Sequence, residues 1–490
     1  MDGGGSLLIA GQTGVSAQGA PTLDALAARA SRRLAQDRPA LSAATGLTRG
    51  QAGVALAALA VTACVALLAP RLAMLAAHGL AQALFALLIA LRLAALCAPR
   101  PAAPKSAASR TASPREAAPL YSILVALYRE APVAAQLIGA LDRLDWPADR
   151  REVLLLIEAD DEETRSALAA LVLPRGFRVI VAPAHGPRTK PKALNIGLVL
   201  ARGAYVAIYD AEDRPHPDQL KAAHAAFTRG GAELACVQAP LAIHDPRGHW
   251  IARQFALEYA IHFRVLIPMV SALGWPVPLG GTSNHFRRAA LLACGGWDPW
   301  NVTEDADLGV RLARDRWRVA MIDRPTYEEA PGGLSVWIRQ RTRWIKGHLQ
   351  TWAVHMRRPD RLAADVGLWG ALGLQATLLA TLISAFSHGP LLAGAIAALW
   401  LGLLQPLDFA LLLGGYVSAG LCAGLALARE RALSTAGAMI AVLTLPLYWP
   451  LQTIAAARAA WQLWRSPFVW EKTPHGDPGP AWVGKKRQTA

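Results

Sequence analysis

Asp210 and Glu212 stand two residues apart in the stretch "YDAEDRP", where an apolar run ends. Two carboxylates at that spacing in a loop can share a hard divalent cation that neutralises a diphosphate, as Mg²⁺ does with one or two carboxylates plus substrate oxygens. Taken alone, the pair reads equally well as a solvated Asx turn. A second stretch, "RTKPKALN", sets Arg188, Lys190 and Lys192 at the start of a helical pattern. Exposed N–H groups and side-chain cations there favour a phosphate-bearing ligand. A solvated helix start is the other reading, and it weighs more for Lys192 than for Lys190.

A third stretch, "NVTEDADLGVRL" (301–312), crowds Glu304, Asp305 and Asp307 into four residues. If Thr303 caps a helix here, acids in its first turn simply complement the helix dipole. Helical phase separates them. Asp305 lies three and seven residues before Leu308 and Leu312, on the face that packs, whereas Asp307 lies four before Arg311, on the face expected to meet water. An inward carboxylate is costly without a partner or a task, so Asp305 is the candidate for proton transfer and Asp307 is expected to be a surface ion-pair partner. Glu304 falls between the two faces. Finally, "WIRQRTRWIKGHLQTW" (337–352) interleaves Trp337, Trp344 and Trp352 with Arg339, Arg341, Arg343 and Lys346. Aromatic platforms beside cations suit a sugar face or a diphosphate, but composition alone favours a helix lying at a membrane interface.

These residues need a scaffold. "YSILVAL" (121–127), "EVLLLI" (152–157), "FRVIVA" (177–182) and "AYVAIYD" (204–210) read as buried strands, alternating with helical stretches such as "APVAAQLIGALDRL" and "EETRSALAALVL". That alternation implies a parallel sheet with helices on both faces, whose ligands bind past the carboxyl ends of the strands. Three of those ends are acidic: Tyr128-Arg129-Glu130, Glu158-Ala159-Asp160-Asp161 and Asp210-Ala211-Glu212-Asp213. One charged strand end is an ordinary turn, but three on one rim mark a site.

At 490 residues the chain exceeds what one core holds, and the remainder is apolar. A hydrocarbon core ~30 Å thick needs ~20 apolar helical residues, and two spans are expected before the sheet region, at 52–69 and 78–98. Four are expected after it, at 366–386, 389–404, 409–428 and 435–457. Arg29, Arg32, Arg33, Arg38 and Arg49 argue for a cytoplasmic start, and six crossings return Lys485, Lys486 and Arg487 to the same side. On that count Arg429 and Arg431 fall on the outer side, against the rule. The formal net charge of +15 is explained by residues flanking spans and facing anionic headgroups, so no nucleic-acid partner is expected. Five scattered cysteines without a Cys-x-x-Cys pair indicate neither a zinc site nor a disulfide framework.

The ordered set "ALYRE", "EADD", "TKPKALN", "YDAED", "TED" and Gln340-Arg341-Thr342-Arg343-Trp344 resembles membrane-integrated glycosyltransferase family 2, the class of cellulose synthase. The tail "PFVWEKTPHG" (467–476) is similar to a bacterial exopolysaccharide and β-glucan synthase branch. The resemblance implies an α/β GT-A (Rossmann-like) catalytic domain inserted between transmembrane helices, transferring a sugar with inversion. It implies nucleotide-sugar contacts at Glu130, Asp160, Asp161, Lys190 and Asp210, and Mg²⁺ or Mn²⁺ at Asp210 and Glu212. It makes Asp305 the general base, and places Thr303, Glu304, Gln340, Arg343 and Trp344 around the acceptor and the diphosphate. Glu212 stands where cellulose synthases carry Asp, and "GGTSNHF" (280–286) differs from their acceptor loop.

The implied function is processive polymerisation of a nucleotide sugar, UDP-glucose, into a β-glucan-type exopolysaccharide moved across the inner membrane. The partners are then the donor, the growing polysaccharide, membrane lipids and a periplasmic export partner. The alternative is a single transfer to a lipid-linked acceptor. The layout expected is an N-terminal cytoplasmic tail (1–50), two spans (51–98), a linker (99–119), the GT-A domain (120–336), interfacial helices with the Gln-x-x-Arg-Trp motif (337–362), about four spans (363–464) and a cytoplasmic tail (465–490).

Overall fold

The computed structural model describes residues 22–98, 118–244, 246, 249–430, 433–469 and 471. Most of the linker, most of the C-terminal tail and Arg431 lie outside the described residues. The catalytic domain is built on β1 (Tyr121–Leu127), β2 (Arg151–Glu158), β3 (Phe177–Ala182), β4 (Tyr205–Tyr209), β5 (Arg214–Pro215), β6 (Leu234–Gln238), β7 (Leu241–Ile243), β8 (Asn284–Arg287), β9 (Arg318–Met321) and β10 (Thr326–Glu328). Seven of them form one sheet in the order β3-β2-β1-β4-β8-β6-β9, and β5, β10 and β7 form a small second sheet. In the large sheet β1 to β4 are parallel, β8 runs antiparallel to β4 and β6, and β6 is parallel to β9. Strand β2 is buried along its whole length, as unbroken Val, Leu and Ile runs require when helices cover both faces. This is the α/β GT-A architecture that the resemblance implies, flanked by apolar helices.

The spans differ from expectation in one consequential respect. The expected pair 366–386 and 389–404 is one continuous run, Pro359–Trp400. "SHGP" (387–390) reads as a break because Pro390 carries no N–H. The helix continues because the Gly389 N–H donates to Thr453 Oγ1 at 2.9 Å. A π-helical turn at Gln375–Leu379 and a kink at Gly367 (φ 72°) adjust the same run. The segment expected as the last span is a bent pair, Thr435–Leu443 and Leu445–Arg465, with 61° between its halves.

Both ends of that pair lie against the catalytic domain. Glu430 before it pairs with Arg264, and Lys346 donates to Val469 O after it at 2.7 Å. Its middle reaches only the halfway level of the long helix, where Trp449 meets His388. The pair is a broken span or a re-entrant loop, and the helices long and apolar enough to cross among the described residues are Arg49–Leu68, Pro70–Leu96, Trp250–Ala272, Pro359–Trp400 and Pro406–Arg429, of which Trp250–Ala272 is mostly buried inside the protein. Arg429 lies on the domain side, donating to Arg264 O at 2.5 Å and to Ala98 O at 3.2 Å, and the charge anomaly at that residue disappears.

Residues 22–46, expected as part of a tail, fold onto the domain. The helix Leu23–Asp37 buries Ala27, Ala30 and Leu34. Arg38 pairs with Asp315 through two hydrogen bonds of 2.6–2.7 Å, and Asp298 accepts from Ser42 Oγ and the Ala43 N–H. This brace ties the first span to the loop that carries Thr303, Glu304 and Asp305.

Candidate active site

The helix Lys190–Leu200 starts with Pro191 in its first turn, where a missing N–H costs nothing. Lys190 Nζ lies 2.6 Å from Asp210 Oδ1 at the end of β4 and donates to Gly281 O at 2.5 Å. A Cβ added to Gly281 would sit 3.7 Å from Asp305 Oδ2. One ammonium thus joins the acidic strand end to the loop facing the candidate base. Asp213 is fully buried, and its Oδ2 accepts from the Asp210 N–H at 2.8 Å and from the Thr282 hydroxyl. It pegs the loop that carries Asp210 and Glu212.

Glu304 and Asp305 open the helix Glu304–Arg314. Asp305 is 5% exposed, and its Oδ1 has no hydrogen-bond partner. Burial raises its pKa well above the usual carboxylate range, with the Glu304 carboxylate adding to the rise. Arg343 faces Glu304, Asp210 and Glu212. Burial opposes the charge on Lys190, yet Asp210, Asp305 and Glu304 outweigh it and hold the ammonium firmly protonated. Burial and then the Asp210 carboxylate push Glu212 up to about 8, and burial and then Glu212 push Glu328 up to about 8. Asp210, Glu212, Glu304, Asp305 and Glu328 thus surround the two cations Lys190 and Arg343.

That crowding of carboxylates suits a divalent cation, whose charge would favour their ionised forms. Among the described residues no three His, Cys, Asp or Glu side chains converge into a ligand cage. A cation at Asp210 and Glu212 would therefore complete its shell with donor oxygens and water, the usual habit of Mg²⁺.

The other expected contacts line the same rim. Glu130 is 7% exposed, and its N–H donates to Thr164 Oγ1 at 2.9 Å. Asp160 meets Arg188 at 2.6 Å. Asp161 caps the helix Glu162–Ala169 through Thr164 N and also accepts from the N–H of Arg129, whose φ is +56°. Its carboxylate holds the turn after β1 in shape. Gln340, Arg343 and Trp344 lie on the helix Leu334–His355, with Gln340 Oε1 buried and unpaired.

Several expectations are corrected. Asp307 does pair with Arg311, at 2.7 Å, but both are fully buried, and His355 completes the group at 3.1 Å. Lys192 is not at a solvated helix start: it is buried and bonds Glu158 at 2.7 Å. Thr303 occupies the cap position without a side-chain cap bond. The helix 334–355 turns its aromatic and basic face inward onto the protein. Trp337 is fully buried, Arg341 pairs with Glu258 through two bonds of 2.6 Å, and Trp344 lies against Phe255, Tyr259 and the Arg341 guanidinium.

That helix also positions the loop before Asp305. Gln350 Oε1 accepts from the Val302 N–H, and Thr351 accepts from Asn301 Nδ2 at 2.9 Å. Gly347 lets the two approach, since a Cβ there would lie 2.4 Å from the Thr303 side chain. A Gly347→Ala variant is expected to displace the loop, and a misplacement of ~1 Å costs on the order of 10²-fold in rate. Steady-state kinetics should show that loss in kcat with donor affinity kept.

Sequence reasoning missed Glu328, Glu258 and Tyr259. Glu328 had one signal, an acid in a short strand-like run just ahead of the Gln-x-x-Arg-Trp helix.

Residues 205–456 match the family described as Glycosyl transferase family group 2. The beta-monoglucosyldiacylglycerol synthase of Trichormus variabilis is 31% identical over 237 residues, 47% of this chain and 49% of that one. The Synechocystis protein of the same name is 27% identical over 245 residues, 49% of this chain and 50% of that one. The chain spans about half the length of the curated relatives it matches. Among solved structures, the mannosyltransferase PcManGT from Pyrobaculum calidifontis, in complex with GDP-Man and Mn2+, is 20% identical with a TM-score of 0.46, covering 78% of this chain and 99% of that one. The match spans more than half of the chain and takes in Asp210, Asp305 and the Gln-x-x-Arg-Trp helix, so the chain belongs to glycosyl transferase family group 2.

Proposed function

We propose that the chain is a hexosyltransferase moving one sugar, with inversion, from a nucleotide-sugar donor to the hydroxyl of a lipid acceptor at the membrane surface. The observation that carries single transfer over polymer export is the packing behind Trp344. Phe255, Trp337 and Tyr448 fill that space at 2% exposure or less, with Trp337 Nε1 bonded to Tyr448 and Tyr448 to Glu258. A chain growing past Trp344 would have to break this bonded plug. The relatives whose names specify a monoglucosyldiacylglycerol product point the same way, and with them UDP-glucose is the donor we propose. Nucleotide sugars and the basic N-terminal flank both argue for a domain on the cytoplasmic side of a bacterial inner membrane.

Asp305 takes the proton from the acceptor hydroxyl as its oxygen attacks the anomeric carbon, and the bond to the diphosphate breaks. An inverting displacement needs that base opposite the leaving group. Lys190 and Arg343 offset charge on the departing diphosphate. A divalent cation held by Asp210 and Glu212 would supply further stabilisation of the same charge. Glu304 and the Trp344 side flank the acceptor position.

The test is full-length protein in vesicles containing diacylglycerol, supplied with UDP-glucose and Mg²⁺ or Mn²⁺. A single glucosylated lipid is expected, and chelation by EDTA should abolish it. A long polymer resistant to lipid extraction would overturn single transfer and restore the polymerising reading that Gln340, Arg343 and Trp344 favour. Release of UDP with neither product would overturn the lipid acceptor.

A further inference from the structure

A cleft of about 540 Å³ opens away from the catalytic rim, beside the amino end of β9 and under the helix Gln219–Gly230. Its floor is apolar, with Trp275, Trp317 and Val366 among its walls. Its depth relative to the bilayer follows from its neighbours. Asp365 and Val366 lie in it one turn before Leu368, Trp369 and Leu372, which are exposed and begin the apolar crossing. Trp275 packs on Trp369 with ring centroids 5.2 Å apart, and Trp369 Nε1 donates to Leu273 O at 3.1 Å. This edge of the domain is clamped to the first turn of the span, so the cleft sits at headgroup level.

Three arginines line it: Arg229, Arg316 and Arg318. Among the described residues the side chains of Arg229 and Arg316 make no hydrogen bond or ion pair, and that of Arg318 bonds only Gly230 O, at 2.8 Å. Of the nearby acids, Glu233, whose C=O accepts from the Arg318 N–H at 2.9 Å, can offset one of the three arginines, and the others are already committed. Asp365 in the cleft pairs with Arg314 at 2.8 Å, and Asp315 next to Arg316 pairs with Arg38. The cleft therefore carries uncompensated positive charge above an apolar floor at the level where phosphodiesters lie. Guanidinium groups suit phosphate by geometry and by charge. Basic pockets beside spans are where anionic headgroups are held.

We infer that this cleft binds the headgroup of an anionic phospholipid, with the phosphate on Arg229 and Arg316 and the acyl chains leaving along Leu368 and Leu372. The site is independent of the acceptor and of the reaction, so its test does not read glycosyl transfer. Native mass spectrometry of the full chain in an uncharged detergent would be titrated with phosphatidylglycerol, phosphatidylcholine or inorganic phosphate. Wild type should retain phosphatidylglycerol at concentrations where phosphatidylcholine leaves no adduct. An Arg229→Gln/Arg316→Gln variant, altered only at exposed side chains, should bind it at least tenfold more weakly with an unchanged thermal midpoint in lipid-free detergent. Equal retention by variant and wild type, or equal retention of phosphatidylcholine, would overturn the site. Displacement of the lipid by equimolar inorganic phosphate would show a free-phosphate site instead and would also overturn it.

Discussion

An Asp305→Asn variant is expected to lose glycosyl transfer by about 10²–10⁴-fold, the range of a general base, while still binding the donor. The amide is isosteric and cannot accept a proton. The Asp305 Oδ1 has no partner, so no hydrogen bond to that atom is lost and the thermal midpoint should stay level or rise. Donor affinity should survive because the proposed diphosphate side, Lys190, Arg343, Asp210 and Glu212, is left unchanged. The measurement is transfer to vesicle acceptor beside UDP binding by calorimetry. Near wild-type transfer would mean that another carboxylate takes the proton, and Glu304 and Glu328 would be the next to replace. Loss of UDP binding together with transfer would instead place Asp305 on the donor side.

What the sequence could and could not show divides along contact range. The inward phase of Asp305 follows from its spacing to Leu308 and Leu312, a local rule that the fold keeps. The same rule placed Asp307 and Arg311 together correctly, as residues four apart must be, but it took the second face of that helix for a wet one. His355, 48 positions later, closes over it, and no local pattern records which distant helix covers a face. The spans show the same division. Local hydropathy located the apolar segments at the two ends and passed over Trp250–Ala272, a helix of spanning length that is mostly buried inside the protein. Whether "SHGP" breaks a helix depended on Thr453, 64 positions away, whose hydroxyl accepts from the Gly389 N–H and donates to Ala385 O, both at 2.9 Å. The brace at 22–46 had a legible stripe in Ala27, Ala30 and Leu34, yet small residues in a polar context read equally as a tail.

Two residues beyond Asp305, an Asp307→Ala variant is expected to fail in the opposite way, through stability. Asp307, Arg311 and His355 are all fully buried, with Asp307 Oδ2 on Arg311 Nε at 2.7 Å and Oδ1 on His355 Nε2 at 3.1 Å. Removing the shared carboxylate strands a buried guanidinium that retains only the carbonyls of Cys294 and Gly296. Breaking one side of a buried pair costs about 3–5 kcal/mol, a large fraction of a typical folding free energy. The pH dependence carries a defined sign. Burial opposes ionisation of Asp307, but Arg311 and His355 prevail and hold its pKa below the usual value. Burial likewise holds His355 below the usual histidine value despite Asp307. In both cases the unfolded chain binds the proton first. Their stabilisation is therefore complete above the ordinary histidine pKa of ~6.5 and falls as the solution is acidified. Thermal midpoints in detergent from pH 8 down to 4 should drop for wild type, start lower for Asp307→Ala, and fall at least as steeply for it, because Asp307 is the group that raises His355 toward its usual value and its loss leaves the buried imidazole harder to protonate. A variant as stable as wild type at pH 7 would show that the buried group is held by the surrounding helices and not by its own charges.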